Sequence, residues 1–170
     1  MTEINKYDRL KSGLASVDAG ADENQFVTFL INQESYGVEV LKVKEILGMT
    51  DITPVPNSLV FMKGVINLRG EVVPVVDMRL KFEMQEKEYD AFTVIIIVEV
   101  KKRLIGMIVD AVSDVASIPI SSIQHTPHFT SKIETDFISG IGQLNEQLII
   151  ILDVDRILTT DEFNRIDSDE

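Results

Sequence analysis

The chain has 170 residues, 45% of them hydrophobic, with no Cys and no Trp, enough for one domain or two small lobes that share a core. Without Cys there is no disulfide framework, thiolate metal site or thiol nucleophile. A formal net charge of −12, with a pI near 4.6, argues against a nucleic-acid binder, which needs clustered Lys and Arg against phosphate, and against direct binding to anionic lipid.

Residues 1–24 mix charges with small residues and read as a flexible arm ahead of the folded domain. They carry no apolar run of the signal-peptide kind. The longest apolar stretches, 94–98 and 148–152, are too short to cross a bilayer, so a cytoplasmic protein is expected. Residues 26–31 predict a strand, 32–35 a turn and 36–40 a returning strand. Val40, Val43, Ile46 and Leu47 are then spaced like one helical face, which predicts one or two helical turns ending at Gly48. A Pro-punctuated connection follows at 53–57, and 58–62 predicts a turn of helix.

The segment 61–77, F-M-K-G-V-I-N-L-R-G-E-V-V-P-V-V-D, reads as strand, tight turn and strand. Arg69-Gly70 is the turn, because Gly tolerates positive φ. The second arm, Val72 to Val76, is apolar on nearly every residue and is expected to be buried on both faces. Asp77 is placed to cap a short helix over 78–82. The charged stretch 83–90 is the expected boundary between two lobes. Beyond it, 93–100 and 104–110 predict a hairpin with a basic tip, Lys101-Lys102-Arg103. Residues 125–136 read as polar loop, 137–153 as another hairpin, 154–159 as a short helix and 161–170 as a frayed acidic tail.

The hairpin at 137–153 copies the one at 61–77 without a gap. Phe137 falls under Phe61, Gly140 under Gly64, Leu144 under Leu68 and Asp153 under Asp77. Upstream, Tyr36-Gly37 followed by Val40, Val43 and Ile46 mirrors Ile105-Gly106 followed by Val109, Val112 and Val115. Strand–strand–short helix–hairpin therefore occurs twice, which predicts two small all-β lobes, barrels of about five strands each, with short helices and a shared hydrophobic core. Lobe one is expected over 25–82 and lobe two over 91–158. The repeat also isolates a difference. Arg69-Gly70 at one tip is replaced by Asn145-Glu146 at the other, which marks Arg69 as a functional candidate.

Catalytic patterns are weak. There is no G-x-S-x-G elbow, P-loop or dinucleotide fingerprint. His125 and His128 stand near Asp136 in H-x-x-H spacing, but no third metal ligand has recognisable spacing, so no metal and no cofactor is expected. Asp77, Asp110 and Asp153 each end an apolar strand. An acid–base pair there is the enzyme alternative, against helix capping at Asp77 and Asp153.

Tyr36-Gly-Val-Glu-Val-Leu-Lys-Val-Lys-Glu-Ile46, G-V-I-N-L-R-G at 64–70, V-P-V-V-D at 73–77 and G-M-I-V-D-A-V-S-D-V at 106–115 together closely resemble the CheW family of chemotaxis coupling proteins. The resemblance spans about 25–160, the expected CheW-like domain. It implies two five-stranded SH3-like β-barrel lobes packed on a shared core, and no catalysis. It implies an adaptor between the cytoplasmic tip of methyl-accepting chemotaxis receptors and the regulatory domain of the histidine kinase CheA, recruited to membrane-associated receptor arrays. By matching motif positions it implies coupling roles for Val43, Glu45, Gly64, Arg69, Val94 and Val115. The three valines are expected to contribute to an apolar docking groove, with Arg69 and Glu45 paired at its rim. A related module serving a different motility array is the remaining alternative.

Overall fold

The computed structural model describes residues 23–124 and 137–168. The chain forms eleven strands among the described residues: β1 (Glu23–Ile31), β2 (Glu34–Glu39), β3 (Val43–Gly48), β4 (Met62–Leu68), β5 (Glu71–Asp77), β6 (Val94–Val100), β7 (Arg103–Val109), β8 (Ala111–Pro119), β9 (Ile123–Gln124), β10 (Ile138–Leu144) and β11 (Gln147–Leu152). Two α-helices join them, α1 (Met78–Lys81) and α2 (Thr160–Ser168), with 3-10 turns at Val40–Lys42, Ile120–Ser122 and Val154–Arg156. The fold is all-β, built as two barrel-like lobes, and one of them has six strands rather than five. The candidate metal loop, His125, His128 and Asp136, and residues 1–22 of the expected arm 1–24 lie outside the described residues, while Glu23 and Asn24, the last two residues of that arm, open β1.

The repeat holds at the level of backbone geometry. β4–β5 and β10–β11 each bulge two residues in, between Met62 and Gly64 and between Ile138 and Gly140. The amide of Asp77 donates to the Phe61 carbonyl at 2.8 Å, and that of Asp153 to Phe137 at 2.7 Å. Asp77 Oδ1 then accepts from Arg79 N at 2.9 Å, while Asp153 Oδ1 accepts from Asp155 N at 3.0 Å. Both carboxylates are therefore caps, as their position after a strand predicts.

The lobes, however, do not follow the halves of the chain. One sheet runs β8-β1-β2-β11-β10-β9 and the other β3-β6-β7-β5-β4. Each repeat thus contributes its leading hairpin to the other repeat's sheet. β1–β2 pairs with β8 and, in parallel, with β11. β6–β7 pairs with β3 and, in parallel, with β5. The exchange is symmetric: Gly37 faces Ile151 and Gly106 faces Val75, the positions matched by the repeat. The lobe boundaries expected at 25–82 and 91–158 are corrected accordingly. The segment 83–90 joins α1 to β6 inside one lobe, and the chain changes lobes at Val40–Lys42 and at Asp110.

That segment is also tied down. Met84 N donates to Arg79 O at 2.7 Å, Arg79 Nη1 to Gln85 O at 3.1 Å, and Tyr89 Oη to Asp77 Oδ2 at 2.7 Å. Burial first, and the bond to Asp77 second, hold the Tyr89 phenol far above its ordinary value.

Of the helical turns expected over 40–48, Val40–Lys42 is a 3-10 turn and Val43–Gly48 is strand β3. Three-residue spacing there comes from a β-bulge. Val43 faces Val98 and Glu45 faces Ile97, so Lys44 is an extra residue that turns the period of two into three. The same happens in β8, where Val112 faces Phe29 and Asp114 faces Thr28. The turn of helix expected over 58–62 is not formed: residues 60–61 make a turn and Met62 opens β4. The helix expected over 154–159 is a 3-10 turn of three residues.

The largest buried cluster fills the space between the lobes and draws on both sheets. Four rings run through it in series, Phe29–Tyr36–Phe82–Phe137, with centroid separations of 6.1, 5.6 and 4.9 Å. Two smaller clusters occupy the lobe interiors, one around Ile66, Val73 and Ile95, the other around Phe26, Ile118 and Ile149.

The expected frayed tail, 161–170, is corrected to helix α2 over most of its length. Thr159 Oγ1 accepts from Glu162 N at 3.1 Å, and Glu162 Oε1 accepts from Thr159 N at 2.9 Å, a reciprocal capping box. Ile166 is buried and Phe163 packs beside it on the interlobe layer.

Candidate functional site

Arg69 sits at the tip of the β4–β5 hairpin with φ +51°, followed by Gly70 at φ +90°. Two positive φ values are what a two-residue hairpin turn requires. Asn67 Oδ1 locks the turn by accepting from Gly70 N at 2.8 Å. From this tip the guanidinium reaches back to β3, where Arg69 Nη1 lies 3.0 Å from Glu45 Oε1 and 3.3 Å from Oε2. The partners are unequal: Arg69 is 73% exposed and Glu45 only 18%.

The bulge in β3 explains why Glu45 is available. The extra residue re-aims the side chains that follow it, so Glu45 turns toward the β4–β5 tip. β3 and β4 are the two outer strands of their sheet. The ion pair therefore helps to close the barrel, together with the backbone bridge Thr53 N→Val65 O and Val65 N→Thr53 O, both 2.9 Å. In the second repeat the residue matching Glu45 is Asp114, whose carboxylate accepts from its neighbour Val115 N at 2.8 Å instead. The ion pair is thus made in one copy of the repeat and not in the other.

Gly64 makes the closure possible. Its φ is +148°, and a Cβ there would stand 2.2 Å from the Thr53 carbonyl oxygen. Any side chain at this position breaks the Thr53–Val65 bridge or forces the strands apart.

The three valines behave differently from expectation. Val94 is fully buried and Val43 retains 8% exposure. Both belong to the interlobe core, so neither offers side-chain surface to a partner, and the groove expected from them is corrected to packed core. Val115 is half-buried and packs on the same cluster from the other lobe, opposite Val27. Of the six candidates the structure joins Arg69 and Glu45 directly, and Gly64 supports them. The second arm of the central hairpin also departs from expectation, since Val72 is 52% exposed.

A set of interlobe ties was missed in the sequence. Arg79, after the Asp77 cap, holds Asp110 through Nε at 2.9 Å and Nη2 at 2.7 Å, while Asp110 Oδ2 accepts from Asn32 N at 2.9 Å. Burial pulls the Asp110 carboxyl upward, but the Arg79 and Asn32 hydrogen bonds outweigh it and leave it below its ordinary value. At the matching place in the other repeat, Lys42 Nζ meets Asp155 Oδ2 at 2.9 Å. The charges are reversed: Arg79 and Asp155 each lie two residues after a capping Asp, and each grips a point where the chain crosses between lobes. The signal available in the sequence was this offset of two.

Strand-end carboxylates that serve as caps and ties, and an exposed Arg on a rigid tip, define a β-sheet scaffold that presents a surface. Comparison with known proteins agrees. A family model for the CheW-like domain matches residues 25–162. The chemotaxis protein CheW of Klebsiella aerogenes is 38% identical over 160 residues, covering 92% of this chain and 96% of that protein. Chemotaxis protein CheW of Bacillus subtilis is 33% identical over 134 residues, 79% and 86% of the two chains. The crystal structure of scaffolding protein TtCheW from Thermoanaerobacter tengcongensis superposes with a TM-score of 0.77 at 33% identity, covering 82% of this chain and 95% of that one. The chain belongs to the CheW family, and its role is that of an adaptor in chemotaxis signalling.

Proposed function

We propose that this chain couples the cytoplasmic tip of methyl-accepting chemoreceptors to the regulatory domain of the histidine kinase CheA, without catalysing a reaction itself. The observation that carries this reading is the Arg69–Glu45 pair. A charge 73% exposed on a turn fixed by two positive φ values is held at small entropic cost for an incoming partner, the arrangement expected of a preorganised contact residue. Its carboxylate partner is anchored in the barrel wall, so the pair orients the guanidinium more than it stabilises the fold. Gly64 lets β4 lie close against Thr53 and so supports the hairpin that carries the tip, while Val43, Val94 and Val115 act from beneath, by packing the layer that joins the lobes.

The expected setting is cytoplasmic, at membrane-associated receptor arrays. No helix among the described residues is long and apolar enough to cross a membrane, in keeping with recruitment by partners. The test is co-sedimentation with receptor-tip fragments and with CheA, using the unmutated protein and Arg69→Glu. The unmutated protein is expected to bind both partners, and the variant to lose coupling while melting normally. Binding to neither partner by the unmutated protein overturns the reading.

A further inference from the structure

Val72 is the second residue of β5, whose last five residues are buried, yet it is itself half exposed. It lines a groove of about 790 Å³ together with Val55, Met62, Val65 and Pro74, and Phe163 of α2 lines it as well. Lys101 and Lys102, the tip of the β6–β7 hairpin, also line it, and both are exposed. Adjacent lysines beside an apolar floor form a local positive field on a chain whose net charge is −12.

β5 pairs with β4 along nearly its whole length but with β7 only over Val75–Asp77, and Val65 on the outer side of β4 is bridged to Thr53. The stretch of β5 that β7 leaves unpaired holds Pro74, which has no backbone N–H to offer an added strand. Recognition here therefore passes chiefly through side chains, the mode by which an amphipathic helix lies in a groove. Helix α2 shows which chemistry the surface accepts. Its Phe163 and Ile166, three residues apart, rest on the interlobe layer. Glu162 lies 2.8 Å from Lys81 Nζ, and Lys101 Nζ stands 5.2 Å from the centroid of the Phe163 ring. An acidic amphipathic helix is thus already seated on this surface by lysines and an apolar stripe.

We propose that the groove beside α2 docks an acidic amphipathic helix of a partner protein, with its apolar stripe on Val72 and Phe163 and its carboxylates toward Lys101 and Lys102. The proposal uses neither Arg69 nor Glu45, but Gly70 and Glu71 of the same hairpin tip also line the groove, so its test reads peptide binding and not coupling. It is tested with two synthetic helical peptides that share one Leu/Ile stripe and differ only in carrying Glu or Lys on the polar face. Each is titrated into the full-length protein by fluorescence anisotropy. The Glu peptide is expected to bind, to weaken as salt rises, and to lose about tenfold or more in affinity with Lys102→Glu and with Val72→Asp. Lys87→Glu makes the same charge change away from the groove and is expected to leave binding intact, and thermal melts confirm that all three variants fold. No binding of the Glu peptide, equal binding of the Lys peptide, or an equal loss with Lys87→Glu overturns the proposal.

Discussion

Arg69 and Glu45 show how a side chain with little energetic weight takes on a specific role. An exposed pair contributes about 0–1 kcal/mol, so reversing either charge is expected to leave the melting temperature nearly unchanged. Coupling is a different readout. Arg69→Glu and Glu45→Arg are each expected to lose coupling in a reconstituted receptor–kinase assay, and the double swap to regain part of it. A double swap that recovers nothing counts against direct pairing. Gly64 is the opposite case, a residue whose weight is structural. Gly64→Ala introduces a contact of 2.2 Å with backbone at a positive φ, with strain of about 1–3 kcal/mol and the loss of two bridge hydrogen bonds at about 1 kcal/mol each. The expected result is a drop in Tm of about 5–15 °C, measured by calorimetry, and a melt within a degree of the parent removes this account.

Among the elements, α2 is the least anchored by backbone pairing and depends on its cap and its apolar face. Thr159→Ala removes one half of the capping box and is expected to cost about 1 kcal/mol. Ile166→Ala empties a buried site in the interlobe layer and is expected to cost about 2–4 kcal/mol. Urea unfolding checks both through the transition midpoint, and hydrogen exchange across 160–168 is expected to quicken in both variants. T-x-x-E followed by Phe163 and Ile166 was present in the sequence as a capping box with an apolar stripe. It passes for a frayed tail only because five of the last ten residues are acidic. In β3 and β8 the failure runs the other way. A spacing of three is read as helical by periodicity alone, and one inserted bulge residue produces the same spacing in a strand.

At the scale of the whole molecule, the exchange of hairpins makes each lobe depend on both halves of the chain. Fragments cut within 83–90 are each expected to lack a cooperative melt, and to form a folded complex when mixed. A half that folds alone with a sharp transition contradicts the exchange. Acid stability is also a whole-molecule property, because Asp110 joins α1 to the β1–β2 turn. Its folded-state pKa is depressed, below the unfolded value near 3.9. The tie is therefore fully present above about pH 4 and is lost as the pH falls through the folded value. Asp110→Asn is expected to cost about 2 kcal/mol at neutral pH, in the range for a hydrogen bond to a charged group, and to flatten the acid limb of a stability–pH curve. An acid limb identical to the parent's rules this tie out as its source.

The sequence by itself determined the class and the repeat. Alternating and continuous apolar runs with Gly-marked turns specify β-hairpins locally, and the Phe, Gly and Asp repeated at one fixed offset mark the same bulge and the same cap in both copies. It singled out Arg69, because a repeat compared with itself exposes the position where one copy differs. Which strands meet was beyond it. Pairing β1–β2 with β8 and β11 joins residues far apart in the chain, and a hairpin's own residues carry no mark of which copy will receive it. That choice falls to the shared apolar layer, where Phe29, Tyr36, Phe82 and Phe137 stack only when the hairpins cross. The same layer buries Val43 and Val94. Burial is a property of the assembled sheets, and a valine at three-residue spacing looks alike whether it faces a partner or the core.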